Sequence, residues 1–204
     1  MPDRPTADLD AVRATLARRT EEILSSGAGR GRPSEQDQAF EKAVVSQCRY
    51  LMRLLASRRR SAGEMRSRLR EREAPGAVIH EALARLDRAG LIDDAAFAAE
   101  WVRQRRDLRG LADEALRREL ADREVDADVI AEALGAAETG EEQRARELVR
   151  NRLRGDLDDL AADVDGSVRG KVARRLDALL RRRGYDGALA LQVISTELRS
   201  ATGR

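Results

Sequence analysis

The sequence predicts an all-α protein of three tandem three-helix repeats forming an elongated, curved array, and three observations predict it. Aromatic residues make up 2% of the 204-residue chain. That is too few for a sandwich or barrel, whose strands favour aromatic and β-branched side chains. Ala, Leu, Arg and Glu dominate instead, and these are strong helix formers. The third observation is a repeat. Adding 51 to Met65, Leu69, Ala74, Val78, Ile79 and Leu83 gives Leu116, Leu120, Val125, Val129, Ile130 and Leu134, and adding a further 60 gives Leu176, Leu180, Tyr185, Leu189, Ala190 and Ile194. Tyr50 and Trp101 also match at the first offset. Units of this size hold too little core to stand alone, so neighbours must pack end to end.

Taken in chain order, 9–24 fit a helix with Leu9, Val12, Leu16 and Ile23 near one face, and 25–36 (SSGAGRGRPSEQ) have linker composition. Residues 1–36 are therefore expected to be a flexible arm carrying a helix, with the folded body starting near Asp37. Repeat 1 is assigned to 37–92. Its first helix carries Phe40, Val44, Leu51, Leu54 and Leu55. Ser61-Ala62-Gly63-Glu64 has the form of a capping box opening a second helix on Met65 and Leu69, which ends before Pro75. A third helix with Val78, Ile79, Leu83 and Leu86 stops at Gly90, a left-handed cap. Repeat 2 is assigned to 93–138. Repeat 3, 139–204, is interrupted by an acidic insertion at 155–166 (GDLDDLAADVDG), expected to be a solvated loop; its functional reading is an acidic contact for a basic partner.

The formal net charge of +2 conceals strong blocks. Residues 49–72 hold nine Arg against Glu64 and Glu71, 113–142 hold eleven acids against three Arg, and 169–183 hold seven cations against Asp177. Such a surface suits a partner of both signs better than naked nucleic acid, which favours one large positive field. Lysine occurs only at Lys42 and Lys171. An Ala- and Arg-rich, Lys-poor chain points to a high-GC bacterial genome, an association that says nothing of function.

Catalytic and cofactor chemistry find no footing. Cys48 and His80 are the only residues of their kinds, so neither an internal disulfide nor a Cys/His zinc site is available, and no cofactor is expected. No apolar run reaches membrane-span length, and the start MPDRPTADLD lacks signal-peptide order, so a cytoplasmic protein is expected. Gly27, Gly29 and Gly31 form GxGxG without a preceding strand, which is no nucleotide fingerprint. His80 lies in a helical pattern beside Glu81 and Arg85. Asp93-Asp94 lacks neighbouring oxygen ligands, so one of the pair is read as a helix cap with both favouring the helix's positive end. Trp101, four residues after Phe97, is read as core rather than as a base-stacking platform.

Three arginine clusters remain: Arg58, Arg59 and Arg60; Arg103, Arg105, Arg106 and Arg109; and Arg181, Arg182 and Arg183. A helix C-terminus accounts for one or two cations at each. The surplus is read as contacts for acidic protein surface or phosphate.

The runs LLASRRRSAGEMRSRL (54–69), LDRAGLIDDAAFAAEWVRQR (86–105) and LLRRRGYDGALALQVI (179–194) resemble RecX, the bacterial regulator of the RecA recombinase. The most specific part is Gly90-Leu91-Ile92-Asp93-Asp94 with Phe97-Ala98 and Trp101-Val102; Arg182-Arg183-Gly184-Tyr185 is the second anchor. The resemblance covers about 40–200, and neither the arm nor the acidic insertion fits a minimal family member. It implies tandem three-helix units that lodge in the groove of the RecA–DNA filament as a monomer. The implied effect is suppression of filament growth, ATP hydrolysis and strand exchange, hence a role in recombinational repair and the SOS response. The rival reading is a stand-alone DNA-binding protein using one unit as a helix-turn-helix reader. The small net charge and acidic middle argue against it.

Overall fold

The structure, a computed structural model, describes residues 34–136 and 139–202. Ten helices and no strand lie among the described residues: α1 Glu35–Leu55, α2 Ala62–Glu71, α3 Gly76–Arg88, α4 Asp94–Arg109, α5 Asp113–Ala121, α6 Ala127–Gly135, α7 Glu141–Leu153, α8 Leu157–Ala161, α9 Ser167–Arg182 and α10 Gly187–Thr202. The helix expected at 9–24 and the GxGxG motif lie outside the described residues. The chain divides into two compact units between Phe97 and Ala98.

The all-helical repeat expected from the sequence is the fold observed. α1–α3, α4–α6, and α7 with α9 and α10 are its three copies, and the second helix of each ends in the same turn. Ala74, Val125 and Tyr185 donate their N–H to the carbonyls of Leu69, Leu120 and Leu180 at 3.1, 3.2 and 3.1 Å. The residue before each donor is left-handed: Glu73 at φ 55°, Glu124 at 53° and Gly184 at 86°. These closures fall at the same offsets as the apolar positions, and Met65, Leu116, Leu176, Leu69, Leu120 and Leu180 are all fully buried.

α1 starts earlier than its composition indicated. Ser34 Oγ accepts from Asp37 N–H at 3.1 Å while the Asp37 carboxylate accepts from Ser34 N–H at 3.1 Å, a reciprocal cap. Residues 34–36 therefore belong to the helix start and not to the linker assigned at 25–36; short polar side chains serve both purposes. α1 packs on α3. The core of the first unit joins Val44, Cys48 and Leu51 to Met65 and Leu69 and to Val78, Ile79, Ala82, Leu83 and Leu86. Phe40, grouped with this stripe by spacing, is 39% exposed. Gly90, at φ 64°, closes α3 as expected.

In the second unit α10 packs on α7 and α9, over a core that includes Val149, Leu153, Val172, Leu176, Leu180, Val193 and Ile194. The acidic insertion is a correction, because it is not a plain solvated loop. Five of its residues form α8, and Leu160 enters the core at 3% exposure. Its carboxylates are committed locally: Asp156 pairs with Arg175, and Asp163 accepts from the backbone N–H groups of Val168 and Arg169 at 3.3 and 2.8 Å. The free N–H groups and positive end of α9 give these acids an internal partner.

Candidate functional site

The arginine clusters divide by what their guanidinium groups already hold. In the first, Arg58 makes a two-pronged pair with Glu64 at 2.9 and 3.2 Å. Ser61 Oγ caps α2 by accepting the Glu64 N–H at 3.0 Å. Arg60 is half-buried, donating from Nε to the Leu54 carbonyl at 3.4 Å, and burial followed by the Arg58 charge lowers its pKa. Arg59 is exposed and its side chain has no partner among the described residues.

In the second cluster, Arg103 pairs with Glu100. Arg105 reaches Glu119 at 2.9 Å, and Arg106 reaches Asp113 at 2.8 Å and the Leu134 carbonyl at 3.1 Å. Arg109 is exposed without a side-chain partner among the described residues. In the third, Arg181 pairs with Asp177 at 2.8 Å, Arg182 is exposed without such a partner, and Arg183 is half-buried. The second and third clusters meet at the turn between α4 and α5. Ala112 N–H donates to the Arg183 carbonyl at 2.9 Å, and a Cβ at Gly110 would lie 2.8 Å from Arg183 Nη1. Gly184 abuts α5 so closely that a Cβ there would stand 2.6 Å from the Ala115 Cβ and 3.1 Å from its backbone nitrogen. The Arg-Gly-Tyr sequence is thus a packing joint between two repeats.

Spacing alone missed several charged residues. Lys42, Arg49 and Arg53 stand exposed along α1, and Lys171 and Arg174 along α9; the periodicity of the charges held that signal. Arg72 lies over the Tyr50 ring at 4.2 Å, and its counterpart 51 residues on, Arg123, lies over Trp101 at 3.8 Å. Trp101, which the sequence reading placed in the core, is half-buried instead. Arg105 stacks on it at 4.2 Å, and its indole N–H donates to Glu119 at 2.8 Å.

The acidic pair divides its roles. Asp93 caps α4 by accepting from Ala96 N–H at 2.8 Å, whereas Asp94 accepts from Ala62 N–H at 2.8 Å, at the start of α2. The same device recurs at the equivalent start of α5, where Glu141 accepts from Asp113 N–H at 2.8 Å. Burial raises the Asp94 pKa. Cys48 is fully buried and burial pushes its thiol up to about 11, so at neutral pH it is a protonated core residue and no nucleophile. No cluster of metal-ligating side chains occurs among the described residues, and none of the helices described is long and apolar enough to cross a membrane.

Residues 49–86 match the family model described as RecX, first three-helix domain, and 93–134 match RecX, second three-helix domain. The regulatory protein RecX of Mycolicibacterium vanbaalenii is 40% identical over 172 residues, spanning 81% of this chain and 89% of that protein. The chain belongs to the RecX family. RecX of Lactobacillus salivarius has a similar fold, with a TM-score of 0.63 at 16% identity over 78% of this chain and 98% of that one. A further crystal structure, of a regulatory protein RecX, gives 0.65 at 16% identity over 86% and 87%. The RecX-family relatives are regulatory proteins, and this chain is a regulator rather than an enzyme.

Proposed function

We propose that this RecX-family protein binds RecA on the RecA–DNA filament and inhibits filament growth, ATP hydrolysis and strand exchange. It would act in the cytoplasm as a monomer, modulating recombinational repair and the SOS response. Family membership supports the partner. The observation that carries the site reading is that each repeat keeps one predicted arginine exposed and without a side-chain partner among the described residues: Arg59, Arg109 and Arg182. Exposed cations without an internal partner keep their full charge for a phosphate or an acidic protein surface. Arg58, Arg103, Arg105, Arg106 and Arg181 would have to give up an internal ion pair first.

RecA ATP hydrolysis on single-stranded DNA tests the reading. The wild-type chain is expected to inhibit at or below stoichiometric amounts, and the combined Arg59→Glu, Arg109→Glu, Arg182→Glu variant to inhibit far less while keeping its helical content. No inhibition by the wild-type chain overturns the function. Full inhibition by the variant overturns the site. A salt-sensitive shift of duplex DNA without RecA, paired with no RecA inhibition, favours the helix-turn-helix reading instead.

A further inference from the structure

Two joints between repeats are closed in the same way. At the first, Asp94, the opening residue of α4, accepts the N–H of Ala62, the opening residue of α2, at 2.8 Å. At the second, Glu141, the opening residue of α7, accepts the N–H of Asp113, the opening residue of α5, at 2.8 Å. Each of these middle helices is closed by a carboxylate from the repeat after it, where free N–H groups and a positive helix end favour one. Among the described residues no repeat follows the third, and the RecA reading makes no use of its acidic insertion.

That insertion reproduces the closure. Asp163 accepts from the N–H groups of Val168 and Arg169 at 3.3 and 2.8 Å, and Asp165 from Ser167 at 2.9 Å, all in the first turn of α9. The apolar contact is reproduced along with the charge. Leu91, three residues before Asp94, packs against the core of the first unit, and Leu160, three residues before Asp163, enters the core of the second. Helix growth then removes the place where a following carboxylate would act. The 60-residue offset carries Gly110, Leu111 and Ala112, the turn before α5, onto Gly170, Lys171 and Val172. Those three lie inside α9, as does Ala173, the counterpart of Ala62 and Asp113. The Ala173 N–H therefore has its partner within the helix, four residues back at Arg169.

We infer that the acidic insertion is an end cap: it gives the third repeat, from within, the closure that a following repeat gives the other two, and so keeps a second copy of this chain from docking there. Repeats that stack on one another within a chain can also stack across chains unless an end is closed. A second copy carries the group for it, because α1 opens on an acid as α4 and α7 do. That acid, Glu35, is exposed and has no partner among the described residues. This role rests on the monomer reading and not on RecA being the partner.

Sedimentation of the full chain and of a variant lacking 155–166 tests it. The deletion brings the spacing from Glu141 to Ala173 within one residue of that from Asp94 to Asp113. The wild-type chain is expected to stay monomeric as its concentration is raised, and the deletion variant to associate over the same range. Adding Glu35→Gln to the deletion is expected to weaken that association roughly tenfold, the loss of one charge-assisted hydrogen bond. A wild-type chain that associates overturns the end cap together with the monomer reading, whether or not it inhibits RecA. A folded deletion variant that stays monomeric overturns the end cap alone. Association that Glu35→Gln leaves unchanged runs through another surface and sinks it too. If the deletion does not fold, Asp163→Ala with Asp165→Ala takes its place. Amide exchange at Ser167, Val168 and Arg169 is then expected to speed up roughly tenfold, with association appearing as concentration rises. Unchanged exchange, or faster exchange without association, ends the proposal.

Discussion

The first and third repeats bury the same aliphatic positions but pin their outer helices together with opposite charges. In the first, the buried member is Arg85 of α3, 7% exposed, gripping both oxygens of Glu41 on α1 at 2.6 and 2.7 Å and Glu81 at 2.7 Å. In the third, the buried member is Glu197 of α10, 5% exposed, and its partner on α7 is Arg150 at 2.8 Å. Aliphatic packing alone cannot tell one repeat's first helix from another's. An inverted pin can: α1 offered to α10 sets Glu41 against Glu197, and α7 offered to α3 sets Arg150 against Arg85. Both wrong pairings bury like charges, so the inversion adds selectivity among similar repeats.

Arg85→Ala is expected to have the largest effect, about 3–5 kcal/mol in urea unfolding of the first unit, because two carboxylates lose a buried partner. Arg150→Ala removes one hydrogen bond where Arg85→Ala removes three, yet it leaves the buried Glu197 carboxylate without its partner, and is expected to cost about 3 kcal/mol. Equal losses would end the contrast. The first pin also carries a pH response. The hydrogen bonds from Arg85 hold Glu41 and Glu81 below their ordinary value of 4.5. A depressed carboxylate contributes stability above its unfolded pKa and loses it as pH falls through its folded one. Stability of the first unit should therefore fall on acidification below about pH 4.5, and a combined Glu41→Gln, Glu81→Gln variant should flatten that dependence while lowering stability at neutral pH.

Gly184→Ala comes next, at about 2–3 kcal/mol, because a left-handed φ of 86° coincides with a contact to the α5 backbone that cannot give way. Leu160→Ala is expected to cost about 2 kcal/mol by emptying the one core position that the acidic insertion fills. A cost below about 0.5 kcal/mol in a denaturation experiment would mean that α8 is only appended to the third repeat.

The six apolar positions of each repeat were legible because helical burial needs only a spacing, and their common turn was implicit in it. The offset pairing Tyr50 with Trp101 also pairs Arg72 with Arg123, yet the stacking was invisible until the second helix was folded back on the first. Cluster positions in the sequence counted arginines but could not show which carboxylates would meet them. Glu119 meets Arg105, and Asp113 meets both Arg106 and Arg144, only through the turns between helices. Arg144, two residues past the acidic block, lines one cavity with Tyr185, and nothing in the spacing sets the two side by side.

The smallest effect isolates the helix ends themselves. Glu73 and Glu124 occupy the left-handed position that Gly184 fills in the third copy, and both are exposed. An L-residue there is strained by about 1–2 kcal/mol, whereas glycine is not, although glycine gives some of this back through the entropy of the unfolded chain. Glu73→Gly and Glu124→Gly are each expected to raise stability by about 0.5 kcal/mol, seen as a small increase in Tm. The reverse exchange, Gly184→Glu, is expected to be at least as damaging as Gly184→Ala, because it adds a longer side chain where Ala115 already blocks a Cβ. If Gly184→Glu were tolerated, the third repeat would owe its glycine to neither φ nor contact. If the two glutamate replacements destabilised instead, their side chains would be making contributions that outweigh backbone strain.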